Sequence, residues 1–342
     1  MATVQNCAAI VMAAGESKRM KSTTTKVLHN IAGIPLLSHT LRSIRGVGTQ
    51  RIVVVVGRQG DEVRRTFEAD EIDFVDQDTP LGTGHAAYIG IKELEGFAGD
   101  VLVLCADVPL VRRETLKALL ELHREKRSKI TLITTHLKNP TGYGRVVRAE
   151  NDIILRIVEE REATIEEKSI REINSGIMCF DADFLMEVLE ILMRDSREGE
   201  YYLTDVIEIA NANGQDVHGY IIDDPTEVQG INDRYDLSLV EDVLRNRIRK
   251  YHMKKGVTII NPATVMIDDD IEIGEDTVIN QGSMIEGNTH IGSRCWIGPF
   301  SRIVDSTLGE NVKIEGWNYI KGVKLNDGSR IRAYESAGEE KK

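Results

Sequence analysis

The chain has 342 residues, of which 41% are hydrophobic and 29% charged, with a formal net charge of −12. Such a length favours two domains, and the apolar content suffices for a sizeable core. The acidic balance speaks against DNA or another polyanion as a partner, because nucleic-acid binding requires a basic face. A small phosphorylated ligand stays compatible with it, since a few local cations or a metal ion can hold one.

The N-terminal "MATVQNCAAIVMAAG" has no basic region ahead of its apolar stretch and does not read as a signal peptide. No apolar run approaches the roughly 20 residues of a membrane span, so a cytoplasmic, non-membrane protein is expected. Cys7, Cys105, Cys179 and Cys295 lack CxxC spacing and are expected to be buried, reduced thiols.

Along the chain, "CAAIVMAA", "RIVVVVG", "IDFVDQ", "DVLVLCAD" and "KITLITTH" are near-continuous apolar runs, as in strands buried on both faces of a parallel sheet. Segments of helical period separate them, at residues 35–44, 84–94 and 114–124. This alternation predicts a doubly wound α/β domain over residues 1–235. Ligands bind such sheets outside the carboxyl ends of strands, which brings Gly15, Gly57 and Asp107 near one cleft.

The loop after the first run, "VMAAGESKRMKSTTTK", has neither the second glycine and Lys-Ser/Thr pair of a Walker A loop nor a GxGxxG pattern. What remains is Ala13, Ala14 and Gly15, then Arg19, Lys21 and Lys26. Small residues let backbone N–H groups approach phosphate oxygens, and a following helix N-terminus would favour an anion. By itself the stretch fits a phosphate loop or an ordinary strand-to-helix turn with solvated cations.

Residues 236–255 read as one charged connecting helix. Beyond it Ile267, Ile273, Ile279, Ile285, Ile291, Ile297 and Ile303 recur every six residues; a five-residue step leads to Leu308, and sixes resume at Ile314 and Ile320. Glycine follows the aliphatic residue at Gly274, Gly292, Gly298 and Gly309. A period of six is neither helical nor simple strand. It predicts a parallel β-helix, placed at 256–330, with 331–342 as a flexible tail. So short a solenoid is expected to oligomerise through its flat sides.

The signature "AAGxxxRMxSxxxKVLHxIAGxPL" resembles that of the sugar-nucleotide pyrophosphorylases, nearest the bacterial N-acetylglucosamine-1-phosphate uridylyltransferases. In order follow "LGTGHA" (81–86), "ADVPL" (106–110), "PTGYGRVVR" (140–148), "IVEEREAT" (157–164), "EINSGI" (172–177), "GEYYLTDVI" (199–207) and "VQGINDR" (228–234). The six-residue repeat matches the left-handed, trimerising β-helix of the same family.

The resemblance implies transfer of UMP from UTP to N-acetylglucosamine 1-phosphate, with Mg²⁺ as cofactor and a homotrimer built through the β-helix. Arg19 and Lys26 would act on the phosphates as the catalytic cations. Met12, Ala13, Ala14, Gly15, Gln77, Gly82, Thr83, Cys105, Ala106 and Asp107 would hold the nucleotide, with Gln77, Gly82 and Thr83 reading the uracil. Gly144, Glu159, Asn174, Tyr202 and Thr204 would take the sugar, and Asp107 with Asn232 the metal. His85 is expected to pack a helix and not to act as a base.

The match departs from the family at Ser17 and Lys18 (Gly-Thr in the family), at Thr25 (proline) and at Cys105-Ala106 (Tyr-Gly or similar). These positions bear on base and sugar choice. The "HLTYxGD"-like acetyltransferase segment is absent, so no acetyl transfer is expected. The alternatives are the same chemistry with another nucleoside triphosphate or sugar phosphate, and a non-catalytic trimer that senses a sugar nucleotide.

Overall fold

The computed structural model describes residues 6–15, 18–194 and 199–338. In chain order the first part holds β1 (Cys7–Ala13), a hairpin of β2 (Asn30–Ile31) and β3 (Ile34–Pro35), α1 (Leu36–Arg45), β4 (Arg51–Val56), α2 (Gly60–Thr66), β5 (Asp73–Asp76) and α3 (Thr83–Glu93). It continues with β6 (Asp100–Cys105), α4 (Arg113–Lys126), β7 (Ile130–His136), β8 (Arg145–Arg148), β9 (Ile154–Val158), α5 (Ile165–Lys168) and β10 (Glu172–Asp181). Then come α6 (Ala182–Arg194), α7 (Val206–Ala212), β11 (Val217–Ile222) and α8 (Arg234–Lys254).

The apolar runs are strands for the reason their composition suggests. Ala8, Ile10, Val53, Val55, Val101 and Val103 point into one core. Their neighbours Ala9, Val11, Val54, Val56, Leu102 and Leu104 point into another. Alternation into two cores is what strands covered on both faces require. Leucines of α6 and alanines of α3 fill the first core, while α1 and α4 supply Leu37, Leu41, Leu116 and Leu119 to the second.

The sheet runs β11-β7-β10-β6-β1-β4-β5. Its centre is parallel, with Met12 opposite both Val55 and Cys105. Only β10 runs against β6 and β7, and the β8–β9 hairpin pairs onto it through Ile173 and Arg145. The architecture is thus Rossmann-like α/β, as expected, with an antiparallel insertion that apolar runs alone do not reveal.

The chain forms two compact units, residues 1–29 with 36–234, and residues 30–35 with 235–342. The second is a left-handed β-helix of fourteen strands, each two or three residues long, in three parallel sheets. Ile267, Ile279, Ile285, Ile291, Ile297, Ile303, Ile314 and Ile320 are fully buried in its central column. Ladder partners lie 18 residues apart (Glu272 with His290, Met284 with Arg302), and 17 apart once the five-residue step is crossed (His290 with Thr307, Trp296 with Lys313).

Three boundaries differ from the sequence reading. The long helix occupies Arg234–Lys254. The coils run past 330, because Leu325, Ile331 and Ala337 continue the five-six-six spacing from Ile320 and their strands pair through Ser336–Ala337. The expected tail is therefore ordered ladder up to that point, and its last four residues lie outside the described ones. Residues 30–35 leave the first unit: Ala32 is fully buried in the β-helix core, its oxygen accepts from Asp269 N at 2.8 Å, and Gly33 (φ +89°) abuts Asp268. Among the described residues no helix is long and apolar enough to cross a membrane.

Candidate active site

The strand ends that the sheet rule singled out do converge. Gly57 lies so near Ala14 that a Cβ on it would stand 2.8 Å from the Ala14 oxygen. Ala106 N donates to Met12 O at 3.0 Å, joining the ends of β1 and β6. Over these ends opens a cavity of about 800 Å³. Met12, Ala13, Ala14, Gly15, Arg19, Lys26, Gln77, Gly82, Thr83, Cys105, Ala106, Asp107 and Tyr202 all line it. A smaller one of about 360 Å³ shares Ala13 to Gly15 and Gln77 and extends over Gly57, Arg58 and Gln59.

The loop after β1 does not lead into an α-helix. Among the described residues, three-residue turns alone follow, Lys18–Met20 and Lys26–Leu28, and α1 starts at Leu36. The helix N-terminus expected to favour an anion is therefore missing here, and positive charge comes from side chains. Lys26 Nζ donates to Asp107 Oδ2 at 2.5 Å and to Ile231 O at 2.9 Å. Arg19 Nη2 donates to Asn232 Oδ1 at 2.8 Å. Ile231 N bonds Asp107 O at 3.0 Å, and Arg234 Nε bonds Met20 O at 3.1 Å. Four residues distant in sequence thus form one polar cluster: the two expected phosphate cations sit on the two expected metal ligands.

Asp107 and Asn232 offer a carboxylate and an amide oxygen, hard donors suited to Mg²⁺ when substrate phosphates complete the shell. No group of three or more His, Cys, Asp or Glu able to hold a metal occurs among the described residues. Cys105, next to this cluster, has its thiol pushed up to about 12 by burial and by the Asp107 carboxylate, so it stays protonated and is no nucleophile.

In the same cavity Gln77 is buried, and its Nε2 donates to Gly82 O and to His85 Nδ1, both at 3.1 Å. Burial lowers the His85 pKa, consistent with a neutral ring that accepts this bond. His85 therefore orients Gln77, a role beyond the helix packing expected of it. With both amide protons used internally, Gln77 Oε1 is the atom left for a ligand. Gly82 has φ +103° and ψ 177°, a region open to glycine, and a Cβ there would lie 2.4 Å from Tyr201 O.

Gly144, Glu159, Asn174 and Thr204 do not line the large cavity but form a cluster linked to it through Tyr202. Thr204 Oγ1 bonds Glu159 Oε1 at 3.5 Å, Asn174 N bonds Gly144 O at 2.9 Å, and a Cβ on Gly144 would lie 3.4 Å from Glu159 Oε1. Burial, then the neighbouring Glu162, raises the Glu159 pKa. Burial and nearby Glu200 and Glu159 likewise raise that of Tyr202. Lys18, Thr25, Arg161 and Glu200 also line the cavity. In the sequence Lys18 and Thr25 stand out only as departures from the family pattern, and Arg161 and Glu200 lie inside its motifs without a role. Ser17 lies outside the described residues.

A strand-end loop rich in small residues, two cations facing two oxygen ligands, and a polar cluster beyond them on a Rossmann-like sheet define a nucleotidyltransferase domain, here followed by a left-handed β-helix. Residues 9–167 match the family model of the MobA-like NTP transferase domain. The chain is 44% identical to the bifunctional protein GlmU of Acetivibrio thermocellus over 307 residues, covering 90% of this chain and 66% of that one. The GlmU proteins of Listeria monocytogenes serovar 1/2a and Geobacter metallireducens are 41% and 43% identical, with 95% and 88% of this chain and 71% and 63% of theirs covered. The chain belongs to the GlmU family, and it spans about two thirds of the length of these relatives.

Proposed function

We propose that the chain is a UTP:N-acetylglucosamine-1-phosphate uridylyltransferase that uses Mg²⁺. The observation that carries this reading is the hydrogen-bonded cluster of Arg19, Lys26, Asp107 and Asn232 beside a cavity that Gln77 and Gly82 also line. Gln77 Oε1 would accept the N3–H of uracil; cytosine has an acceptor there and would be refused. The backbone from Met12 to Gly15, with Thr83, Cys105 and Ala106, would flank the nucleotide, and Gly144, Glu159, Asn174, Tyr202 and Thr204 the sugar.

The nucleophile is an oxygen of the sugar phosphate, already ionised at neutral pH. It forms a bond to the α-phosphorus of UTP as the bond to the bridging oxygen breaks and pyrophosphate leaves. No proton has to be removed, so the site needs positioning and charge stabilisation rather than a base. Arg19 and Lys26 would turn from Asn232 and Asp107 to the phosphates, leaving those oxygens for the ion. When bound, Mg²⁺ supplies charge neutralisation on the phosphates.

A homotrimer through the β-helix is part of the proposal. It is supported by exposed Met266, Met284, Trp296, Phe300, Trp317 and Tyr319 on that unit, and light scattering checks it. The activity is tested by pyrophosphate release with each nucleoside triphosphate against a panel of sugar 1-phosphates, with and without Mg²⁺. Release with UTP and N-acetylglucosamine 1-phosphate is expected. Release only with another pair would redirect the specificity, and none at all would favour the sensor.

A further inference from the structure

We propose that Arg145 and Glu160 are positioning residues for the sugar half of this site: their ion pair clamps the two loops that carry Gly144 and Glu159, and so sets affinity for the sugar 1-phosphate but not for the nucleotide. The proposal rests on the sugar-pocket reading given above.

Arg145 opens β8 directly after Gly144, and its side chain is only 2% exposed. Its Nη2 donates to Glu160 Oε2 at 2.6 Å, its Nη1 donates to Tyr143 O, and the same Glu160 oxygen accepts from Gly142 N at 3.2 Å. Nε is buried without a hydrogen-bond partner. A guanidinium buried at that cost adds little stability over an apolar residue of similar size. Its arrangement instead ties residues 142–144 to the turn at 159–160 from both sides.

The geometry at stake is tight. A Cβ on Gly144 would meet Ile157 Cγ2 at 2.7 Å and Glu159 Oε1 at 3.4 Å, so the space between this backbone and the Glu159 carboxylate leaves no room for a side chain without displacement. Asn174, another expected sugar contact, is held to the same loop by its N–H on Gly144 O. Glu160 adjoins Glu159, so anchoring one carboxylate fixes the turn that presents the other. The bond from Arg145 and the Gly142 N–H hold the Glu160 carboxyl below its ordinary pKa, keeping the clamp ionised. Gln77, Gly82 and Lys26 of the nucleotide cavity belong to other elements and share none of these bonds; of the turn that holds Glu159 and Glu160, Arg161 reaches that cavity.

Initial rates of pyrophosphate release, with UTP and N-acetylglucosamine 1-phosphate varied in turn, test this on the full chain. Glu160→Ala is the main variant, because its side chain is 30% exposed. We expect KM for the sugar phosphate to rise ~10- to 100-fold, as for misplacement of a reacting group from outside the reacting centre. KM for UTP should stay unchanged, and Glu160→Gln, which keeps an acceptor for Arg145 and Gly142, should restore part of the loss. An unmoved sugar KM in a folded Glu160→Ala, or a parallel rise in both KM values, overturns the proposal alone. A wild-type chain that releases no pyrophosphate overturns the sugar-site reading, and the clamp with it.

Discussion

Replacing Lys26 by methionine removes one charge and keeps most of the side chain's length. The ammonium bonds Asp107 Oδ2 at 2.5 Å and Ile231 O at 2.9 Å, with the two side chains 16% and 26% exposed. A charge-assisted bond of this kind contributes about 1.5–3 kcal/mol when well shielded, and solvent reaching Asp107 reduces that. The stability cost should thus be ~1–2 kcal/mol, a small drop in unfolding temperature by circular dichroism. If Lys26 meets charge that develops on the phosphates, turnover should fall ~10²- to 10³-fold, the loss seen when one preorganised donor is removed. The variant also frees the Asp107 carboxylate, so Mn²⁺ titrated into the enzyme without nucleotide, followed by electron paramagnetic resonance, should bind more tightly than in the wild type. A folded variant that turns over within about threefold of wild type, with unchanged Mn²⁺ affinity, would refute both roles assigned to this lysine.

Gln77→Glu loses the N–H that Gly82 O and His85 accept, and should raise KM for UTP ~10-fold or more in the pyrophosphate assay. Gly82→Ala faces φ +103° and a 2.4 Å approach to Tyr201 O, so it should lose ~1–3 kcal/mol of stability by denaturant titration along with nucleotide affinity. Glu159 has a raised pKa, so the folded state holds its proton more tightly than the unfolded chain. Its ionisation therefore costs stability as pH rises above the ordinary value of 4.5, and Glu159→Gln should melt higher than wild type at pH 7, the gap closing below pH 4.5, while sugar affinity falls. Gly298→Ala would set a Cβ 2.3 Å from the Glu315 carbonyl carbon and should destabilise the coils by ~1–3 kcal/mol in thermal unfolding.

The parts of the fold visible in sequence are those in which one residue's surroundings repeat. Val53 to Val56 are apolar without a break because both faces of β4 are covered, and the column from Ile267 to Ile320 returns every six residues because each coil closes after three strands. β10 lacks such a mark. Asn174, Ser175 and Gly176 interrupt its apolar pattern where the register against β7 shifts, so residues 172–177 read as a motif and not as a strand. The hairpin at 30–35 was hidden for another reason: "NIAGIP" is apolar enough for either unit, and only the burial of Ala32 among residues more than 200 positions away assigns it.

At the site, residue types were legible and their partners were not. Arg19, Lys26, Asp107 and Asn232 stand out once the motifs are aligned in order, but nothing in the linear chain says that each cation rests on one of the oxygen ligands. That pairing follows from cost: four polar groups converging on a cavity wall must satisfy one another or be solvated, since an unpaired charge shielded from water is expensive. The same logic hid the partners of His85 and Arg145. Their chemistry is turned inward, toward Gln77 and Glu160, so neither has the exposed, unpaired look by which a catalytic group is sought. In a reaction that needs no base, such residues set rate and specificity by holding other groups still. Substitutions at Glu160 should therefore change which substrate binds poorly, and substitutions at Lys26 how fast a bound one reacts.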